Sequence, residues 1–251
     1  GAGIAGKVLF LPDTIGSSSA SAVLLELVPA GHAPAAIAMH EPDGYAAAND
    51  AILAAVEEAP DRLVAFARVD PRDDAVAEAA RCLDAGAKGI KLHPRAEQFA
   101  MDEPAVEALF ALAHERRVPI LIHAGRGIPA LGENSIAFAK RYPDAYVILA
   151  HAAVSDLSWM WRELPATPNV LIDTSWWSPG DMMALFALVP SGQIVWASDA
   201  PYGPPLFAAV GHMRFAIQAG VGEEALRSIA GGQIERLLAG EELAVFPRPE
   251  G

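Results

Sequence analysis

The sequence predicts an α/β fold, a (β/α)8 TIM barrel in a single domain. Three observations lead there. Eight short apolar runs rich in Val, Ile and Leu recur along the 251 residues. Helix-like segments separate them at about 25–30 residues per unit, the size of a barrel unit. No Pro/Gly/Ser stretch is long enough to divide the series into domains, so residues 1–251 read as one unit. Near-continuous apolar strands suit a parallel sheet covered on both faces. The rival, an open doubly wound sheet, expects a G-x-G-x-x-G turn after the first strand, and KVLFLPDTIG (7–16) has none.

The elements follow in order. A strand over 7–11 leads to a helix over 18–28, and a strand over 35–39 to a helix over 45–58. The third strand, 63–69, precedes a helix over 73–85 (DDAVAEAARCLDA), which opens with acids suited to the helix's positive end and stops before Gly86. The fourth, 87–92, precedes a helix over 103–116 (EPAVEALFALAHER), with Pro in its first turn, acids early and a basic last turn. Strands over 118–122, 146–150, 169–174 and 193–198 alternate with helices over 134–141, 156–163, 181–188 and 206–219. A last helix spans 223–239.

Composition bounds the function. Hydrophobic residues make up 53% and charged residues 20%, enough for a sizeable core and unlike a disordered chain. A net charge of −13 argues against nucleic acid or an anionic membrane as partner, since both require a basic face. No apolar run reaches the roughly 18–20 residues of a membrane span. The opening GAGIAGKV lacks the basic and long apolar regions of a secretory signal, so the expected location is cytoplasmic. Cys82 is the single cysteine, which leaves no internal disulfide and no Cys-rich zinc site. Any metal would need His and carboxylate ligands.

Barrel enzymes carry their chemistry at the carboxyl ends of the strands. After the second strand come His40 and Glu41, and after the third, Asp70. The fourth carries Lys91, His93 and Arg95; the fifth ends in His123 and Arg126; the sixth ends in His151. The seventh gives Asp173, Ser175 and Trp176, and the eighth Asp199 and Tyr202. Four histidines at the ends of four separate strands are brought together by a barrel. The other three, His32, His114 and His212, fall in a loop or on helices. Lys91 and His93 share a strand face because side chains alternate. Lys91 reads as the partner of a buried acid, with a substrate anchor or a carboxylated, metal-bridging lysine as alternatives.

The motifs GIKLHP, LIHAGRG, ILAHA, PNVLIDTS, ASDAPYG and the closing GGQIERLL (Gln233 standing where Asn is commoner) resemble, in this order, the amidohydrolase superfamily in its amidohydrolase-2 branch. The resemblance implies a barrel enzyme. It implies that His123 is a metal ligand, that His151 is an acid, base or polarising group, and that Asp199 is a ligand and the base for water. It also implies a His-x-His pair after the first strand, where this chain has Pro12 and Thr14. Pro offers a metal no donor and a Thr hydroxyl is a poor one, so two usual ligands are missing.

The expected function is hydrolysis of a C–N or C–O bond in a small carbonyl or carboxylate compound, with Asp199 and His151 as catalytic groups. One divalent metal, zinc first, held by His123, Asp199 and His93, and a metal-free site are both open. His40 is a further ligand candidate. His93, Arg95, Arg126, Trp176 and Tyr202 are the substrate-binding candidates. Non-oxidative decarboxylation, or a non-catalytic ligand-binding or scaffold descendant, are the alternatives. Trp159 and Trp161, two residues apart and so on different faces of a helix, leave a homo-oligomer open.

Overall fold

The computed structural model describes residues 45–250. The strands expected over 7–11 and 35–39, the helix over 18–28, and Pro12, Thr14, His32, His40 and Glu41 lie outside the described residues.

Six strands are described: β1 (Ala67–Arg68), β2 (Ile90–Leu92), β3 (Pro119–Ile122), β4 (Tyr146–Leu149), β5 (Val170–Asp173) and β6 (Ile194–Val195). They are the third to eighth strands of the sequence pattern. All pair in parallel, and each is hydrogen-bonded to the next in the chain, in the order β1-β2-β3-β4-β5-β6. A doubly wound sheet reverses its order at a switch point. These six strands never do, which is the winding of a (β/α)8 barrel.

α1 (Ala46–Glu58) precedes these strands, and between and after them lie α2 (Ala75–Asp84), α3 (Pro94–Glu97), α4 (Pro104–Arg116), α5 (Leu131–Arg141), α6 (Leu157–Met160), α7 (Pro179–Leu188), α8 (Pro205–Gln218), α9 (Glu223–Arg227) and α10 (Gln233–Ala239).

Period-two alternation divides each strand between two environments. Ile90, Leu92, Ile120, Ile122, Val147, Leu149, Val170, Ile172 and Ile194 face the helices. There they join Leu109 and Phe110 of α4, Leu131 of α5 and Leu185 and Phe186 of α7 in one core. Each such side chain contributes about 1.5–3 kcal/mol by leaving water. The alternate positions turn inward. Ile148, Leu171 and Val195 pack with Leu237 of α10, with Leu121, Tyr146 and Ile234 beside them. Tyr146 is the first residue of β4, so α10 closes the amino-terminal end of the barrel. Polar groups collect at the other end.

Four expectations need adjustment. The last helix is split: α9 ends at Arg227, a π turn spans Ser228–Gly232, and α10 starts at Gln233. Trp196 N–H donates to the Ile229 carbonyl, and the Gly231–Gly232 pair has low helix propensity. The final strand is shorter than 193–198, because past Val195 the Thr174 hydroxyl accepts from Ala197 N–H and bonds the Ala197 carbonyl, replacing the backbone ladder. The helix expected over 156–163 stops at Met160 and a separate turn, Leu164–Ala166, carries Pro165, which has no N–H to extend a helix. Finally, α5 starts at Leu131, three residues early, where Asp156 accepts from Gly132 N–H. Trp159 packs against the main core and Trp161 lies under Arg162 and Arg248, so both rings have partners within the chain.

Candidate active site

β2, β3 and β4 each end in a histidine. His93 follows β2 and caps α3: its Nδ1 accepts from Ala96 N–H at 3.2 Å. The ring therefore carries its proton on Nε2. His123 follows β3, its N–H bonded to the Leu92 carbonyl. His151 follows β4 and opens a left-handed turn, with φ of 61° there, 55° at Ala152 and 45° at Ala153. Non-glycine residues rarely hold this conformation unless their surroundings fix them. Here Asp173 at the end of β5 does so. Its Oδ1 accepts from His151 N–H at 3.0 Å, Ser175 N–H at 2.8 Å and the Ser175 hydroxyl at 2.5 Å.

The three rings touch. His93 stacks on His123 with centroids 3.8 Å apart and planes 11° from parallel, and His123 meets His151 edge to face at 4.6 Å. Their hydrogen bonds fix the protons. His151 Nδ1 lies 2.8 Å from the Ser175 carbonyl, which only accepts, so Nδ1 is the donor. His151 Nε2 is then an acceptor in the neutral ring and takes the proton of His123 Nδ1 at 2.9 Å. His123 Nε2 is left as a buried lone pair without a partner among the described residues. It lies beside Gly125, where a Cβ would come within 2.7 Å of it.

Burial, followed by neighbouring charge, sets the electrostatics. Enclosure, then Lys91 and Arg68, hold His93 down to about 2. Burial, then His93 and His151, hold His123 far below the usual imidazole value. Asp199, after β6 and also left-handed (φ 56°), is pushed above the ordinary carboxylate range by burial, with Asp173 adding to the effect and His151 and Lys91 opposing it. Lys91 is lowered to about 8, by burial first and then by Arg68, against Asp173, Asp199 and Glu97.

The remaining sequence candidates lie further out. Arg95 is exposed. Arg126 is paired with Asp181 at 3.2 Å and lies over the Trp176 ring at 5.9 Å, with its side chain 66% exposed. Trp176 is 6.2 Å from His151 by ring centroid and donates to Asp181 at 2.8 Å. Tyr202 is exposed at the rim, its phenol raised by burial and by Asp199. His212 is structural, bonded to the Thr174 hydroxyl and the Trp176 carbonyl.

Sequence reasoning passed over Arg68, Glu97 and Tyr45. Arg68 is buried in β1, ion-paired with Glu97, and its guanidinium lies 4.9 Å from the Tyr45 ring centroid; the Tyr45 hydroxyl also donates to Glu97. The available signal was a charged residue inside the apolar run FARV.

A divalent metal needs lone pairs that converge. Among the described residues no three His, Cys, Asp or Glu side chains gather as a metal site. The stacked rings of His93 and His123 hold their lone pairs in nearly parallel planes, so one ion cannot lie in both. His123 Nε2 and the Asp199 carboxylate are the open donors among the described residues, short of the about three protein ligands a catalytic zinc takes. The described residues by themselves do not fit a metal.

Residues 21–239 match the family model described as amidohydrolase. No curated protein matches the chain by sequence. Solved structures match its fold. A 2,6-dihydroxybenzoate decarboxylase from Rhizobium is 19% identical over 92% of this chain and 89% of its own, with a TM-score of 0.64. An uncharacterized TIM-barrel protein from Bordetella bronchiseptica is 16% identical over 88% and 83%, at 0.68. A dihydroxybenzoic acid decarboxylase from Polaromonas, with bound manganese and an inhibitor, is 17% identical over 77% and 74%, at 0.59. These likenesses show the barrel fold.

Proposed function

The chain belongs to the amidohydrolase family, and we propose that within it this enzyme hydrolyses a C–N or C–O bond of a small carbonyl or carboxylate compound at the carboxyl-terminal mouth of the barrel. The observation that carries this reading is the contact row of three imidazoles, His93, His123 and His151, set beside Asp199.

In this reading water adds to the substrate carbonyl carbon while its proton passes to an Asp199 carboxylate oxygen, whose chain partners leave it open. The carbonyl electron pair moves onto oxygen, where the neutral Nε2–H of His93 donates. A neutral imidazole is an effective donor to a developing oxyanion in a water-poor site. Collapse returns the pair and expels the amine or alcohol, which takes its proton from Asp199, while His151 holds the His123 ring in place. Trp176 and Tyr202 wall the substrate, with Arg95 and Arg126 at the rim. No step runs through a metal.

Non-oxidative decarboxylation is the second reading, and the burial that raises Asp199 favours it, since it eases protonation of a carboxyl that can then deliver the proton to the carbon that loses CO2. Two of the similar structures are named as decarboxylases.

A panel of lactones, esters, amides and aromatic acids, assayed for acid release and for CO2, separates the two. Turnover unchanged by EDTA and by added Zn²⁺ or Mn²⁺, and lowered about 10²–10⁴-fold in Asp199→Asn, supports the proposal. Full activity in Asp199→Asn, or activity that appears only with metal, contradicts it.

A further inference from the structure

We propose that Arg68 and Lys91 form an inner carboxylate-binding subsite, which receives the carboxylate of the substrate beneath the imidazole row. The inference rests on the reading of the barrel mouth as the active site and adds the substrate's chemical class to it.

The register supplies the first argument. Arg68 of β1 pairs with Lys91 of β2. Paired residues of a parallel ladder point to the same face, on strands about 4.8 Å apart. Ile90 and Leu92 belong to the core against the helices, so Lys91 turns inward, and Arg68 turns inward with it. Two cations thus stand side by side on the wall of the barrel. Like charges placed directly opposite destabilise a sheet unless an anion lies between them.

Glu97, Asp173 and Asp199 offset this charge, but pairing within the chain leaves part of the hydrogen-bonding capacity unused. Arg68 is 1% exposed, and its Nε and Nη2 both bond Glu97 Oε1. Its Nη1 is buried without a partner among the described residues. Lys91 forms no ion pair among the described residues. Asp173 Oδ1 is filled by His151 N–H and by the N–H and hydroxyl of Ser175. An incoming carboxylate would accept from Arg68 Nη1 and from the Lys91 ammonium, and charge-assisted hydrogen bonds of this kind are strongest away from water. Arg126 lacks that environment, because it is already paired with Asp181 in solvent. Glu97 orients the guanidinium and leaves its second oxygen, also unpartnered, for a donor on the same ligand.

Calorimetric titration of the full chain with benzoate, and with benzamide as its neutral counterpart, tests the subsite without requiring turnover. Wild type should bind benzoate at least 10-fold more tightly than benzamide. Lys91→Met should weaken benzoate about 10–100-fold, the range expected for one charge-assisted bond, and leave benzamide unchanged. Lys91→Arg should restore most of the benzoate affinity. Arg68→Lys, with its fold checked by circular dichroism, should weaken benzoate without abolishing it. Benzoate bound equally by wild type and Lys91→Met overturns the proposal, as does an absence of saturable benzoate binding by wild type. Binding as described, with no product from the substrate panel, would instead count against the hydrolase reading and leave the subsite standing.

Discussion

Asp173→Asn tests how the site is built. In the wild type one carboxylate oxygen accepts three donors, two of which fix the left-handed turn that presents His151. Asp173 is 6% exposed, so those bonds form away from water. An asparagine carbonyl can keep the geometry but not the charge. A hydrogen bond to a charged group is worth about 1.5–3 kcal/mol and a neutral one about 0.5–1.5, so each bond loses about 1 kcal/mol and the three together about 3. For a chain of this length each kcal/mol moves Tm by about 2–4 °C, which gives a fall of roughly 6–12 °C. Scanning calorimetry and urea melts read this directly. The same substitution removes a negative charge that helps raise Asp199. The acidic limb of the pH–rate profile, set by Asp199 in this account, should therefore move to lower pH. A Tm within about 2 °C of wild type, or an acidic limb that moves upward, would refute the reasoning.

Other expectations follow from single observations. Burial first, and then the Glu78 carboxylate, raise the Cys82 thiol to about 12, so native protein at about pH 8 should resist thiol reagents and label only after unfolding. Equal labelling of native and unfolded chain would contradict this. Gly125→Ala places a Cβ 2.7 Å from His123 Nε2, so the ring must move. Activity should fall at least 10-fold, the scale on which small misplacements act in a positioned site, while Tm changes little. Gly89→Ala has no such room: its Cβ would overlap the Phe66 ring and meet the Pro119 carbonyl at 2.7 Å. It should destabilise by about 1–3 kcal/mol, measured by urea melts.

Much of this site was legible because barrel geometry turns sequence periodicity into convergence. His93, His123 and His151 end consecutive strands, and consecutive strands are neighbours in the sheet. Asp199 was legible for the same reason. Other features depended on contacts between distant segments. Strand-end position alone does not separate Arg126, which reaches out to Asp181, from Arg68, which is enclosed by Glu97 and Tyr45. Asp173 was visible as a strand-end acid, but its grip on the His151 backbone depends on a turn 22 residues earlier. The split of the last helix depends on a hydrogen bond from Trp196, which no helical period reveals.

Long-range proton–nitrogen NMR of the imidazoles is the most direct test, because it reads the proton on each ring nitrogen. The expected spectrum has Nδ1–H on His123 and His151, Nε2–H on His93, and no titration of His93 or His123 between about pH 5 and 8, where free histidine changes charge. Free-histidine titration of those two rings near pH 6.5, or one common tautomer for all three, would contradict it.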